Sequence, residues 1–149
     1  MKDHYGFVMM IREKYWIGYR DRHNEGRNIH AYVARGAAAP KNAEVLLFYV
    51  SAPVKAICGH ARFIDRRTGD ADELWNDHRD ESVLRSQKEF YQFVGDSPSV
   101  SFVRFSDFSD STNPIPLKDL LLFFGVKRLS RKGFYLGKKD TSKLVSMMQ

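Results

Sequence analysis

Residues 44–63 contain two short apolar segments joined by a proline turn, and this pattern restricts the fold more than any other part of the chain. The first segment, residues 44–51, is β-branched and aromatic and is too short for a buried helix, so we predict a strand covered on both faces. The second, residues 56–65, carries Gly59 and Ala61 in its middle, where small residues indicate a bend or the close approach of another group. Two such strands predict the centre of a small closed barrel.

Strict alternation along the second strand would separate its side chains into two sets. The odd-numbered residues from Ile57 to Phe63 would share one face, and the even-numbered residues from Cys58 to Ile64 the other.

Length and composition limit the class of protein. A chain of 149 residues with 13% aromatic residues is expected to form one domain with a substantial core. Cys58 is the only cysteine, so no intrachain disulfide is expected, and a reducing, cytoplasmic location is favoured. His23 and His78 lack a second ligand at metal spacing, so we expect no metal and no cofactor. We find neither a membrane-spanning run nor a signal-peptide pattern and expect no membrane association.

The net charge of +6 is unevenly distributed along the chain. Residues 70–119 contain eleven acidic and five basic side chains, whereas residues 120–149 contain one acidic and seven basic. Such polarity predicts one cationic face suited to a polyanion, with the acidic segment turned elsewhere. An ordinary solvated surface remains the alternative.

Local signals predict the order of the secondary-structure elements. Asp70 with Glu73, and Ser86 with Glu89, have the spacing of helix capping boxes. Strands are predicted near residues 6–11, 29–34, 44–51, 56–65, 99–106 and 133–137, and helices near 12–19, 71–84, 87–94, 116–124 and 141–148. The mixed order favours an α+β fold: a small β-barrel of five or six mixed strands, flanked by short helices.

Residues 47–62 read Leu-Phe-Tyr-Val-Ser-Ala-Pro-Val-Lys-Ala-Ile-Cys-Gly-His-Ala-Arg. This stretch resembles the PUA-like superfamily, in particular its ASCH and EVE branches, where a strand ending in Tyr, a Pro-Val-Lys turn and a Gly-containing strand occur in the same order. The similarity extends in order over residues 5–136 and includes archaeal PUA-like proteins of uncharacterised function. It implies a single PUA-like domain over residues 1–149, with a cleft that takes nucleic acid, often a single base.

Some ASCH proteins hydrolyse modified nucleosides or cleave RNA, and their pattern has Lys, then Glu three residues later, then Arg two residues beyond. The best match here is residues 26–32, where Arg27, His30 and Tyr32 occupy those positions. The pKa of an arginine stays above about 12, so Arg27 cannot exchange a proton as a tuned lysine does. The resemblance therefore favours binding without catalysis.

A nucleic-acid site needs cations for phosphates and flat side chains for bases. We predict Arg27 and Lys55 on phosphates, and Trp16 and Tyr32 against a base. The basic run of Lys127, Arg128, Arg131 and Lys132 would follow the backbone of the nucleic acid. A core position for Trp16, and solvated positions for Lys55 and the basic run, are the alternatives.

Three functions stay open on the sequence alone. The first is binding of RNA, or of a modified base within a nucleic acid, without catalysis. The second is a nucleoside amidohydrolase or ribonuclease with rearranged catalytic groups, in which His30 would be the general base because its ordinary pKa is about 6.5. The third is a protein-interaction module whose acidic residues 70–96 meet a basic partner.

Overall fold

A computed structural model describes residues 4–149, which form one mixed six-stranded sheet with five α-helices. In chain order, the elements are β1 (Gly6–Ile11), α1 (Glu13–Asn24), β2 (Ile29–Arg35), β3 (Val45–Val50), β4 (Ala56–Gly69), α2 (Ala71–His78), a 3-10 turn (Arg79–Glu81), α3 (Gln87–Val94), β5 (Val100–Pro116), α4 (Leu117–Phe124), β6 (Phe134–Leu136) and α5 (Lys138–Met147). The strand order is β2-β5-β4-β3-β1-β6. The β1–β3 pair is parallel, and the other neighbouring pairs are antiparallel.

The sheet is not closed into a barrel, so the predicted closure is wrong. Strands β2 and β6 form its two edges, and no ladder joins them in the described residues. β6 is three residues long and pairs only with Gly6, Phe7 and Val8, which leaves the β1 edge at residues 9–11 without a strand partner. The segment after β2 reaches across to β6, where the Lys41 amide donates to the Tyr135 hydroxyl at 3.0 Å. We call the opening between the two edges the seam.

Gly59 lies where two strands and a helix meet. A Cβ at this position would overlap the Ser109 carbonyl oxygen and approach the Trp16 ring to 2.7 Å, so the predicted close approach is confirmed. The predicted strict alternation is wrong, because the pairing of β4 with β5 shifts register between Ile57 and Gly59. Ile57 therefore packs on one face of the sheet, while Cys58 and Ala61 both pack on the other.

Three apolar clusters hold the helices against the sheet. Helix α1 covers one face with Trp16 and Tyr19, which pack against Phe48 and Phe105. On the opposite face, α4 and α5 insert Leu120 and Leu144 over β1, β3 and β4. The third cluster places Trp75 of α2 and Phe90 of α3 against β2 and β5.

The two predicted caps begin α2 and α3, where Asp70 and Ser86 accept hydrogen bonds from the backbone amides of Glu73 and Glu89, each at 3.1 Å. In residues 4–149, none of the helices has the length and apolar character needed to cross a membrane.

Candidate nucleic-acid interface

Residues 126–133, which we call the basic loop, connect α4 to β6 and expose all four predicted cations. The Val126 amide closes the end of α4 by donating to the Leu121 carbonyl at 3.0 Å. At the other end, Gly133 has φ +80° and lies directly on β1. A Cβ there would overlap the Val8 carbonyl oxygen and come within 2.7 Å of the Phe7 ring. The loop can therefore lie this close to β1 only because residue 133 is glycine.

A cleft of about 430 Å³ lies between the basic loop, α4 and the ends of β1 and β3; we call it the loop cleft. Its apolar wall is formed by Met10, Leu117, Leu121 and Leu129. Three hydroxyl groups, from Tyr49, Ser51 and Ser130, and three cations, Lys127, Arg128 and Arg131, complete the lining. None of its lining residues is acidic.

Tyr49 is near the end of β3 and is 8% exposed. Burial raises the pKa of its phenol, so the hydroxyl stays protonated at neutral pH and can donate a hydrogen bond. Its ring belongs to the cluster that contains Ile57 and Leu120. The packed ring of Tyr49 therefore holds its hydroxyl group in a fixed position at the wall of the loop cleft.

A second cleft, of about 460 Å³, lies at the seam; we call it the seam cleft. Its lining is mostly apolar, with one phenol and two cations: Phe7, Met9, Met10, Tyr32, Ala37, Ala38, Ala39, Arg131 and Lys132. Tyr32 is half-buried, and burial, followed by the effect of Tyr15, raises the pKa of its phenol. Met10 and Arg131 line both clefts, which are thus neighbours across the basic loop.

A third and larger cleft, of about 940 Å³, separates α1 from residues 79–89. Arg27 lines it, and its guanidinium donates to the Asp80 carbonyl oxygen at 3.5 Å, beside a second donor from Arg22. Acidic and basic side chains are nearly balanced in this lining, with five cations and four carboxylates. This cleft therefore carries both signs of charge, whereas the charged residues of the loop cleft and the seam cleft are all cations.

Comparison with known proteins identifies the fold. No family model and no curated protein matches the chain. Among solved structures, the ASCH protein of Zymomonas mobilis superposes with a TM-score of 0.79 at 19% identity, covering 99% of this chain and 98% of that one. The chain has the ASCH fold. This confirms, at the level of the fold, the predicted resemblance to ASCH proteins.

Two mutants of the same Zymomonas protein are also similar. One has a serine replaced with alanine (TM-score 0.79, 19% identity, 100% of both chains). The other has a tyrosine replaced with phenylalanine (TM-score 0.77, 18% identity, 97% of this chain and 99% of that one).

On this ASCH fold, the predicted site residues separate into groups. Lys127, Arg128 and Arg131 line the loop cleft, and Tyr32 lies with Arg131 and Lys132 at the seam. Lys55 lines none of the three clefts, but its carbonyl accepts from the amide of Leu117, a loop-cleft residue, at 2.9 Å. Arg27 is on the lining of the α1 cleft instead. None of the three clefts therefore brings together Arg27, Tyr32 and Lys55, which we predicted to contact the same nucleic acid.

Trp16 occupies a core position. It is 4% exposed, and its ring lies 4.8 Å from Phe108 and 5.5 Å from Phe48, measured between centroids. A ring enclosed in this way has no free face for a base. This position fits the core alternative for Trp16 better than the predicted contact with a base.

His30 is fully buried among the rings of Tyr19, Phe105 and Phe108. Burial, followed by the charges of Arg22 and His23, lowers the pKa of His30 to about 4. A general base must reach the proton that it removes, and this ring has no exposed surface and lines none of the three clefts. This buried position does not fit the general-base role that the hydrolase alternative gave to His30.

The structure adds Tyr49, Ser51 and Ser130 to the candidate site. Tyr49 and Ser51 lie in the segment that carries the family resemblance, but the sequence did not show that the basic loop packs beside them, so it gave no reason to assign them to the site.

Within residues 4–149, no cluster of three histidine, cysteine, aspartate or glutamate side chains is arranged to hold a metal ion. Burial raises the pKa of the Cys58 thiol to about 11.

Proposed function

We propose that this ASCH-fold protein binds single-stranded nucleic acid, with RNA as the favoured form, by taking one base into the loop cleft. The observation that carries the proposal is a loop with three cations that lines an apolar cleft free of carboxylates. Phosphate contacts supply most of the affinity of such sites, and apolar or aromatic walls hold the base.

The lining has the chemistry that a nucleotide requires. Met10, Leu117 and Leu121 offer apolar surface to the faces of a base. The hydroxyls of Tyr49, Ser51 and Ser130 can donate to or accept from its edges, because a hydroxyl serves in both ways. A volume of about 430 Å³ is within the range of small-ligand sites.

Among residues 4–149, ion pairing does not neutralise the basic loop. In the described part of the chain, the basic-loop cations form no salt bridge, whereas Arg104 pairs with Glu81 at 2.8 Å and with Asp65 at 3.0 Å. Both carboxylates lie outside the two clefts. The charge of the basic loop is therefore available to a phosphate.

A charge-matched pair of double variants tests the proposal. Binding of a labelled single-stranded RNA is measured by fluorescence anisotropy over a range of salt concentrations. Lys127→Ala with Arg131→Ala should weaken binding and reduce the salt slope by about 0.7 for each phosphate that the protein no longer neutralises. Arg67→Ala with Lys88→Ala removes the same charge from exposed positions outside both clefts and should change binding little. Equal effects of the two double variants would refute a localised site.

A second candidate, RNA cleavage or nucleoside hydrolysis, is favoured by one observation. Tyr49 and Ser130 line the same cleft and are 81 positions apart, from residue 49 to residue 130. The tyrosine and the serine replaced in the Zymomonas mutants are also 81 positions apart in that chain. A protonated Tyr49 could donate a hydrogen bond to developing charge, beside a Ser130 hydroxyl and nearby cations.

Turnover assays separate the two candidates. The purified protein is incubated with short RNAs and with acylated nucleosides, and products are separated by chromatography. Turnover that Tyr49→Phe or Ser130→Ala abolishes, while RNA binding is retained, would establish an enzyme. Binding without product under all conditions would leave the protein a binding module.

A further inference from the structure

We infer that the protein recognises two consecutive nucleotides, with the second base in the seam cleft against Tyr32. This inference rests on the proposed function, because it extends the loop cleft to a neighbouring position. It identifies the ligand class as a dinucleotide or longer strand, in contrast to a free nucleoside.

The two clefts are connected through shared residues. Arg131 lines both, and so does Met10 on the free edge of β1. Because β6 stops pairing at Val8, no strand of the described residues separates the clefts at this point. A phosphodiester that links a base in one cleft to a base in the other would therefore pass beside the guanidinium of Arg131, which can donate two parallel hydrogen bonds to it.

The seam cleft also has the composition of a base site. Phe7, Met9 and the alanines at 37–39 form an apolar lining with little side-chain bulk. Tyr32 packs partly against the core and also lines the cleft. Lys132 adds a second cation beside Arg131, and no carboxylate lines the cleft. Stacking on such a ring is tolerant of base identity, since every base has a π-face.

The walls of the seam cleft are fixed in place before a ligand binds. The Ala38 amide donates to the Ser101 hydroxyl at 3.2 Å, and the Ala38 carbonyl accepts from the Arg66 guanidinium at 2.7 Å. The hydrogen bond from Lys41 to Tyr135 ties the same segment to β6. A preformed site loses little conformational entropy on binding, so the second nucleotide should bind there without a large ordering cost.

Isothermal titration calorimetry with defined ligands tests the inference. The probes are the four nucleoside 5′-monophosphates and the corresponding homodinucleotides, as RNA and as DNA. The best dinucleotide should bind about tenfold more tightly than the best mononucleotide, in line with one added stacking interaction. Tyr32→Ala should remove most of that gain, whereas Tyr32→Phe should retain it.

A second variant keeps the test valid if Tyr32→Ala does not fold. Ala37 is exposed at the seam cleft, so Ala37→Leu should fill the cleft without disturbing the core and should also remove the gain. Equal affinities of the parent protein for mononucleotides and dinucleotides would overturn the two-nucleotide inference while leaving the proposed function intact. Failure of both ligand sizes, and of longer single strands, to bind would instead overturn the proposed function.

Discussion

Replacing His30 with leucine should remove a large part of the acid sensitivity of this fold. The imidazole is fully buried, and in the described residues neither ring nitrogen meets the distance and angle of a normal hydrogen bond. The nearby Arg27 backbone opposes the lowering of the pKa only in part. Its surroundings include the rings of Tyr19 and Phe108, and the positive charge of Arg22 opposes protonation more strongly than Glu81 favours it. The folded state therefore holds the neutral form.

The size of the effect follows from the two pKa values. Burial lowers the pKa of His30 from 6.5 to about 4, so the unfolded chain binds a proton between these values and the folded chain does not. Stability is therefore fully present above pH 6.5 and is lost as the pH falls toward 4. Linkage gives a loss of about 2 kcal/mol between pH 7.5 and pH 5, and about 3 kcal/mol when complete.

Urea unfolding at pH 7.5 and pH 5.0 measures this difference in stability. Most surface carboxylates are still ionised at pH 5, which keeps their contribution small. His30→Leu should be at least as stable as the parent at pH 7.5 and should lose about 2 kcal/mol less on acidification, or about 4–8 °C in Tm. Equal m-values for parent and variant would show that both proteins expose the same amount of surface on unfolding, so that their stabilities can be compared. Parallel pH dependences of parent and variant would refute the burial argument.

Four further substitutions test other parts of the structure. Gly133→Ala should lower the free energy of unfolding by about 1 kcal/mol or more, and should weaken RNA binding because it lifts the basic loop from β1. Gly95→Ala is the control: this glycine has φ +56°, and no atom of the described residues, chain neighbours aside, lies within 4 Å of the Cβ that alanine would add, so the substitution should lower stability alone. Binding isotherms and unfolding curves distinguish the two variants. Trp16→Ala should cost about 3–5 kcal/mol in chemical unfolding yet leave RNA affinity unchanged in the folded protein. Arg104→Ala should cost about 1–3 kcal/mol, measured in the same way, because two carboxylates lose their partner. Loss of RNA affinity in Trp16→Ala, or unchanged stability in Arg104→Ala, would contradict these assignments.

The sequence predicted the parts of the fold that depend on local pattern. Local interactions can be predicted from sequence because they involve residues that are close along the chain. This holds for the helix caps, the apolar runs and the small residues near Gly59. The length of β5 was underestimated: the strand was predicted to end near residue 106, because residues 107–114 are mostly polar. They form a strand because β4 pairs alongside them over its first residues, and strand formation depends on neighbours more than on intrinsic preference.

Prediction of the candidate site was also limited to residues that are close along the chain. The four cations of the basic loop are close in sequence, so one inspection of the chain finds them. Tyr49 required knowledge that a loop some eighty residues later packs beside β3. Arg27 was assigned by its place in a family pattern, but α1 continues to Asn24, and the Arg27 amide donates to the Arg22 carbonyl at 3.0 Å. This turn positions Arg27 on the α1 side, at Asp80.

The open sheet explains why the basic loop lies where it does. A closed barrel would pair the β1 edge at residues 9–11 and would separate the loop cleft from the seam cleft. With a three-residue β6, that edge stays free, and an exposed edge invites pairing with another chain. Arg131 and Lys132 lie beside this edge, and cationic side chains oppose such pairing. One loop can thus protect the edge and present the charge that a phosphodiester requires, and the incomplete closure is what brings both clefts to the same arginine.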